Sequence, residues 1–304
     1  MRSTRTRVTK LCYNKLMVKS KKKKSTQFPK KLFLIIIPLL LILGIFLLIK
    51  NSSSADYIVE TNAFFAPFEF YEDQKIKGVD IDIINAVAEK LGKTIKISDV
   101  EFDIIIDNVA AGQIADAGAA GLTITPSRSE KVDFTIPYYT SVQYLIFATD
   151  NPPVVTDNHI TWNALAGKTL GSQTGGTGYL FASDEAENGV LEGTGTVVKG
   201  FDSHQLAADA ISSHIIDYAI ADELPAQFII SKNPNLSALP LYYAGATSAE
   251  DYPVEESYAI AVNKNRPELL AAFNSVLTEM LEKDTSGLST IDRLVLKYMG
   301  LQSE

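Results

Sequence analysis

The sequence predicts an α/β protein of two lobes, preceded by one apolar N-terminal helix. Short apolar strands alternate with helical patterns along about 250 residues, which is typical of α/β units around a mainly parallel sheet. This alternation starts again near residue 167, and two extended segments each have the length to pass between the halves. Two such crossings predict a hinged pair of lobes.

The N-terminus separates basic from apolar residues. Residues 1–31 hold 12 Lys or Arg and no Asp or Glu, and residues 32–49 are 18 consecutive apolar residues, counting Pro38 and Gly44. A run of this length can span a bilayer, and the positive-inside rule keeps its basic end in the cytoplasm. We predict a basic cytoplasmic segment at 1–31 and a signal or anchor helix at 32–49, with the rest of the chain extracytoplasmic, at the cell surface or in a periplasm.

The sequence leaves open whether this helix is cleaved. The run is longer than a usual signal core, which favours a membrane anchor, but Ser53 and Ala55 have the spacing that signal peptidase accepts, so cleavage after Ala55 is equally compatible. The only cysteine, Cys12, precedes the run, which excludes a lipid-modified cysteine after it and a disulfide framework.

The residues after Lys50 are acidic, with 15 Lys or Arg against all 36 Asp and Glu of the chain. This balance argues against a nucleic-acid partner. The three histidines show no metal-ligand spacing, and the segment GSQTGGTG lacks the lysine of a phosphate loop. We therefore expect no metal, no nucleotide and no other cofactor.

The first half of the exported part reads as alternating strands and helices. In order, these are the strand YIVET, a helix over 81–91 ending at Gly92, the strand TIKISDV, a helix over 104–111 and the strand ADAGAA. The next helix begins at Thr125 and Pro126, because a capping hydroxyl followed by proline is typical of a helix start.

The second half repeats this order. It comprises a strand and Gly-rich loop in GKTLGSQTGG, a helix after it, a helix over 203–213, the strand in IDYAIADE and a further helix. The extended segments YYTSVQYLIFATDNPPVV and DYPVEESYAIAVN are the two crossings, and two amphipathic helices end the chain. We predict lobe 1 at 56–142 plus 258–304, and lobe 2 at 146–252.

Residues 119–139, AAGLTITPSRSEKVDFTIPYY, indicate a socket for a small carboxylate. Gly121 allows close approach to the backbone, Thr123 offers an N–H and a hydroxyl, and Arg128 offers a planar fork for bidentate pairing. Residues 51–304 contain only three arginines, so one placed at this strand-to-helix turn favours a functional role over a solvated surface side chain.

From Tyr57 to about Gly300 the chain resembles the bacterial extracellular solute-binding proteins of family 3, which deliver polar amino acids to ABC transporters. Four blocks carry the resemblance: TNAFFAPFEF, GVDIDIINAVAEKLG, AAGLTITPSRSEKVDFTIPYY, and GSQTGGTG followed by IDYAIADE. The resemblance implies a type II periplasmic-binding-protein fold, with two α/β lobes closing over one ligand and joined by a two-stranded hinge.

The resemblance also implies a binding site. Arg128 and Thr123 would hold the α-carboxylate of an amino acid, and Asp222 and the Gly121 carbonyl would hold its α-ammonium. The other implied contacts are aromatic walls at Phe65 and Phe102, the loop residues Gln173, Gly176 and Thr177, and a specificity position at Asn62. Many members that take basic amino acids have an acidic residue where this chain has Asn62, which favours a neutral or amide amino acid. The aromatic pair and the acidic composition after Lys50 leave a basic amino acid open as the alternative.

Three functions of different classes follow from these observations. The leading one is a binding protein that presents a polar amino acid to an ABC transporter permease and performs no catalysis. The runner-up is an enzyme similar to the cyclohexadienyl dehydratases, with Glu101 and Glu223 as the candidate acids. The third is a sensor lobe for another membrane protein. Neither the identity nor the affinity of the ligand can be read from the sequence.

Overall fold

The computed structural model describes residues 55–301. The predictions for the basic segment, the apolar helix and its cleavage fall outside these residues. Within 55–301, no helix is both long and apolar enough to cross a membrane. The helices are α1 (Val79–Leu91), α2 (Ile105–Ala111), α3 (Pro126–Lys131), α4 (Thr177–Glu187), α5 (His204–Ser212), α6 (Glu223–Lys232), α7 (Pro267–Leu281) and α8 (Thr290–Tyr298).

The strands form three sheets. They are β1 (Tyr57–Thr61), β2 (Phe64–Phe65), β3 (Glu69–Glu72), β4 (Lys75–Lys77), β5 (Ile95–Asp99), β6 (Ala117–Gly118), β7 (Asp133–Phe134), β8 (Tyr139–Ala148), β9 (Ile160–Thr161), β10 (Thr169–Gln173), β11 (Val197–Phe201), β12 (Tyr218–Asp222), β13 (Leu236–Tyr243), β14 (Tyr252–Pro253), β15 (Glu255–Tyr258) and β16 (Ala261–Val262). Lobe 1 is built on a five-stranded sheet of order β5-β1-β6-β16-β7, and lobe 2 on an eight-stranded sheet with the path β11-β10-β12-β8-β13-β14.

Alternate residues of each strand face different hydrophobic clusters, because side chains along a strand point to opposite faces. In lobe 1, Val262 packs in a cluster with α1, α7 and α8, whereas its neighbour Ala261 packs in another with α2. In lobe 2, Ile220 packs in a cluster with Trp162, and Ala219 in one with α5 and α6. Each central sheet is therefore covered on both faces, as the α/β pattern predicts.

The two lobes are linked by a pair of antiparallel strands. β8 is 10 residues long and pairs with β12 and β13 in lobe 2 at one end and with β15 at the other. The register of the β8–β15 pair runs from Val142 opposite Glu255 to Tyr139 opposite Tyr258. These are the two segments that the sequence predicted as crossings, and the two-stranded hinge is thereby confirmed. The residue limits of the lobes stay a prediction.

The structure differs from the sequence prediction in two places. The sheets are mixed rather than mainly parallel, because the crossing strands β8 and β16 enter them antiparallel to their neighbours. A small three-stranded sheet, β2-β3-β4, was also not predicted. Its β3–β4 turn uses Asp73 and Gln74 at φ of 50° and 63°, and this pair lacks the glycine that normally marks such a turn.

Candidate functional site

A cleft lies between the lobes at the carboxyl ends of β1, β10 and β12. Carboxyl ends of strands in open α/β sheets are the usual place for ligands. The cleft is lined by Phe65, Phe102, Ala120, Gly121, Thr123, Gln173, Gly176, Thr177, Gly178, His204 and Asp222. Its cavity volume is about 10 Å³, so the lobes or side chains must separate before an amino acid can enter.

Arg128 is held by the start of α3. The Thr125 hydroxyl accepts from the Arg128 N–H at 3.2 Å, with Pro126 in the first turn, as the sequence predicted. The guanidinium donates from Nη1 to the Thr123 carbonyl at 2.8 Å and from Nη2 to the Gly175 carbonyl of lobe 2 at 2.9 Å. The guanidinium carbon Cζ lies 5.6 Å from the ring centre of Phe102. This cation therefore bridges the two lobes.

Burial dominates the electrostatics of Arg128, which is 8% exposed. Loss of water lowers the pKa of its guanidinium, and the carboxyl groups of Glu256 and Asp222 act in the opposite direction. A desolvated guanidinium without a bidentate carboxylate of its own favours an anionic ligand. The side chain can thus serve as an anion site once it exchanges its backbone partners.

Gly121 lies where a side chain would not fit. Its φ is +54°, and a Cβ would come within 2.3 Å of Cε1 of Phe65. The Gly121 N–H donates to Oδ2 of Asp80 at 3.1 Å, and Tyr138 donates its hydroxyl to Oδ1 of the same carboxyl group at 2.6 Å. Asp80 is buried, which raises its pKa to about 6. It therefore positions the Gly121 backbone from beneath the cleft.

We expect Gly121→Ala to lower the free energy of unfolding by about 2–4 kcal/mol, because it adds a clash to the cost of a positive φ. Gly92→Ala is the matched control, since Gly92 has a φ of +61° with nothing near its Cβ position. The control should cost only about 1 kcal/mol. Urea denaturation measures both values. Equal losses in the two variants would contradict close packing of Phe65 on Gly121.

Asp222 lies at the carboxyl end of β12 within a buried polar cluster. Its carboxyl group accepts hydrogen bonds from the Gln143 amide and the Tyr258 hydroxyl. Gln143 Nε2 also donates to Oε1 of Glu256 at 3.1 Å, so one amide joins two carboxyl groups. Burial, followed by repulsion from Glu256, raises the pKa of Asp222 to about 8, while Tyr258, Gln143 and Arg128 oppose the rise. The two carboxyl groups of this cluster would stabilise a cation such as an ammonium group.

The loop before α4 faces lobe 1 across the cleft. Gln173 donates from Nε2 to Oδ1 of Asn62 at 2.8 Å, and Asn62 donates from Nδ2 to the Val100 carbonyl at 2.8 Å. Both polar atoms of the Asn62 amide are therefore used within the protein. Gly176 precedes α4 and Thr177 begins it, and both line the cleft, so the N-terminus of this helix lies at the cleft.

The structure brings the ten sequence-predicted residues to one region. Eight of them line the cleft directly: Phe65, Phe102, Gly121, Thr123, Gln173, Gly176, Thr177 and Asp222. The remaining two are attached to it by hydrogen bonds, Arg128 through Thr123 and Asn62 through Gln173. Their contacts with a ligand stay a prediction.

The sequence reasoning missed four residues of this region. His204 lines the cleft, and Gln143, Glu256 and Tyr258 surround Asp222. Glu256 and Tyr258 lie on the same face of β15, where buried and less buried residues alternate. This period of two on a crossing strand could have predicted from the sequence that both side chains point inward. Burial raises the pKa of Glu256, and the nearby hydroxyls of Thr123 and Thr177 lower it.

The two acids considered for an enzyme do not line the cleft. Glu101 is exposed at the surface. Glu223 directly follows Asp222 but does not line the cleft. Its carboxyl group accepts hydrogen bonds from the Tyr144 hydroxyl at 3.3 Å and from Gln227 Nε2 at 3.1 Å. The structure therefore offers no support for either as a general acid.

Comparison with known proteins gives one family. The family model described as bacterial extracellular solute-binding proteins, family 3, matches residues 57–300. The arginine-binding extracellular protein ArtP of Bacillus subtilis (strain 168) is 29% identical over 233 residues, which cover 76% of this chain and 83% of ArtP.

Solved structures give the same fold. The amino acid ABC transporter substrate-binding protein AbpA from Streptococcus pneumoniae, bound to L-arginine, matches with a TM-score of 0.67 and 27% identity, covering 81% of this chain and 94% of AbpA. An ancestral arginine-binding protein bound to glutamine matches with a TM-score of 0.63 and 30% identity, covering 82% and 99%.

Proposed function

The chain belongs to the bacterial extracellular solute-binding proteins, family 3, and from this premise we propose that it captures a free polar amino acid between its lobes and delivers it to the permease of an ABC transporter. The site residues proposed for this task are the ten predicted ones.

One observation carries the proposal: a buried cation in lobe 1 adjoins the cleft through Thr123, and a buried carboxyl group in lobe 2 lines it. Arg128 is 8% exposed and Asp222 is 5% exposed. An α-amino acid presents a carboxylate and an ammonium group at one carbon, so it can take both partners at once. Glycerol and simple sugars lack both charges, and simple carboxylates lack the ammonium group.

Closure of the lobes follows from this arrangement. A ligand shifts a conformational equilibrium only by its preference for one state, and the closed state alone brings Arg128 and Asp222 to the same molecule. We propose lobe limits of 56–142 plus 258–304 and of 146–252, with β8 and β15 as the hinge strands. The closed form would then be the one that a permease recognises.

The protein would act outside the cytoplasmic membrane, in keeping with the extracellular location in the family's description. Attachment to the membrane through residues 32–49, or release by cleavage after Ala55, is part of this proposal. Relatives carry the names of binding proteins, and the proposed role here is capture rather than catalysis. Incubation with prephenate or arogenate should give no aromatic product.

A thermal-shift panel tests the function. The purified protein is heated with each of the twenty amino acids and with the N-acetyl and methyl ester derivatives of any that binds. A ligand at 100 times its Kd should add about 2.7 kcal/mol of stability. We expect the free amino acid to raise the Tm and both derivatives, which each lack one charge, to fail. Equal shifts from all three forms, or no shift from any amino acid, would exclude the proposal.

A further inference from the structure

His204 enters the cleft from lobe 2 and meets lobe 1. It begins α5, and the Ser203 hydroxyl caps this helix by accepting from the Leu206 N–H at 3.2 Å. The cap fixes the position at which the imidazole enters. The ring is 6% exposed, and its centre lies 5.5 Å from the ring centre of Phe65, so the two aromatic side chains meet across the cleft.

The two ring nitrogens of His204 are used unequally. Nδ1 is buried with no hydrogen-bond partner among the described residues, and the backbone of Ile220 acts on the imidazole to raise its pKa. A carbonyl oxygen can only accept, so we assign the ring proton to Nε2 and Nδ1 as a bare acceptor. Burial lowers the pKa of His204 to about 4, which keeps this acceptor neutral at ordinary pH. A buried acceptor without a donor costs free energy, so a ligand that donates a hydrogen bond to it would be stabilised.

The surroundings of His204 carry no charge that would suit an ionic side chain. Its neighbours along the cleft are Phe65, Phe102 and Gln173, and Asp222 is the one carboxyl group among the described residues that line it. The proposed function assigns Asp222 to the α-ammonium. Glu256 adjoins Asp222 but does not line the cleft. A second cation would therefore lose its water with no counter-charge on the cleft surface, whereas a neutral N–H donor would lose less.

We propose that His204 is a specificity-determining residue, whose Nδ1 accepts a hydrogen bond from the side-chain amide of a glutamine-type amino acid. This inference rests on the proposed function, since it concerns the side chain of the same ligand. The amide N–H₂ satisfies the bare nitrogen, and the aromatic rings of Phe65 and Phe102 cover the methylene groups that precede it. Recognition would thus select a donor rather than a charge.

Isothermal titration with two isosteric ligands tests this directly. Glutamine is compared with 2-amino-5-oxohexanoate, in which a methyl group replaces the amide N–H₂ and the carbonyl remains. A site built to hydrogen-bond its ligand rejects an analogue that lacks the group. We expect the full-length protein to bind glutamine at least 10-fold more tightly than the ketone. We also expect this ratio to fall to about 2-fold or less in His204→Leu.

The variants are chosen to separate specificity from folding. The Ile220 carbonyl also accepts from the Ser172 hydroxyl at 2.9 Å, so His204→Leu leaves it with a partner. His204→Gln restores an acceptor oxygen and should recover part of the preference for glutamine. An unchanged ligand Tm shift for the ketone in His204→Leu shows that the site is intact.

Three results would overturn the inference. They are an equal preference for glutamine in His204→Leu and the parent protein, tight binding of arginine without glutamine, and no recovery in a folded His204→Gln. In each of these cases amino acids still bind and the proposed function survives. If no amino acid binds the parent protein at all, the proposed function itself fails, and the inference fails with it.

Discussion

Replacing Arg128 with alanine is expected to weaken amino-acid binding by about 30-fold or more, since loss of one partner of a buried charged pair costs roughly 2–5 kcal/mol. Arg128 is the buried cation that adjoins the cleft, and its Nη1 and Nη2 already reach both lobes. In the complex these two nitrogens would pair with the two carboxylate oxygens of the ligand. Isothermal titration measures the change in Kd.

Two further variants show whether the loss comes from the guanidinium fork. Arg128→Lys keeps the charge but loses the bidentate geometry, so we expect it to recover only a small part of the affinity. Lys131→Ala is the matched control, because Lys131 lies on the same helix and its exposed ammonium pairs with Asp107 at 2.6 Å. It should bind as the parent protein does. A loss in Lys131→Ala equal to that in Arg128→Ala would point to damage to α3.

Replacing Asp222 with asparagine is expected to remove binding and the pH dependence of affinity together. The pKa of Asp222 is raised to about 8, first by burial and then by Glu256. An ammonium ligand needs the ionised carboxylate, so binding below pH 8 must release a proton. The Kd of the parent protein should therefore fall by up to about tenfold per unit as pH rises from 6 to 8.

The stability of the ligand-free protein should change in the opposite direction. Between pH 3.8, the ordinary pKa of an aspartate, and about pH 8, the folded carboxyl group keeps a proton that the unfolded chain gives up. The stabilising effect of this proton is therefore full below pH 4 and is lost as pH rises toward 8. Asp222→Asn has no such proton to lose, so the unfolding free energy of the variant should fall less than that of the parent protein between pH 4 and 8. Tyr258, Gln143 and Glu256 surround this group and remain in the variant.

Calorimetry in two buffers of different ionisation enthalpy measures the released proton. We expect release of about one proton per ligand at pH 7 in the parent protein. A pH-independent Kd in the parent protein would show that Asp222 is already ionised, and tight binding by Asp222→Asn would show that another group holds the ammonium.

The local elements that the sequence predicted correctly depend on neighbours along the chain. The cap at Thr125 followed by Pro126 determines α3, and Arg128 lies within the same turn. The strand YIVET and the helix ending at Gly92 were likewise found where their local patterns placed them. The family resemblance added the pairing of distant blocks that local patterns cannot give.

The residues that were missed depend on contacts between distant segments. Gln143 reaches Asp222 across 79 positions and Glu256 across 113, and no local period links them. His204 was considered only as a metal ligand, and the role proposed for it rests on a buried nitrogen without a partner. Finding a polar atom without a hydrogen-bond partner requires knowing which distant groups are in contact, and local sequence patterns do not give those contacts.

A crystal structure of the protein with its tightest-binding amino acid is the most direct test of the central claim. The account predicts that both α-carboxylate oxygens lie about 2.7–2.9 Å from the Arg128 guanidinium, with the α-ammonium at a similar distance from Asp222. An amino acid bound with these ends reversed, or bound away from the cleft between the lobes, would contradict it.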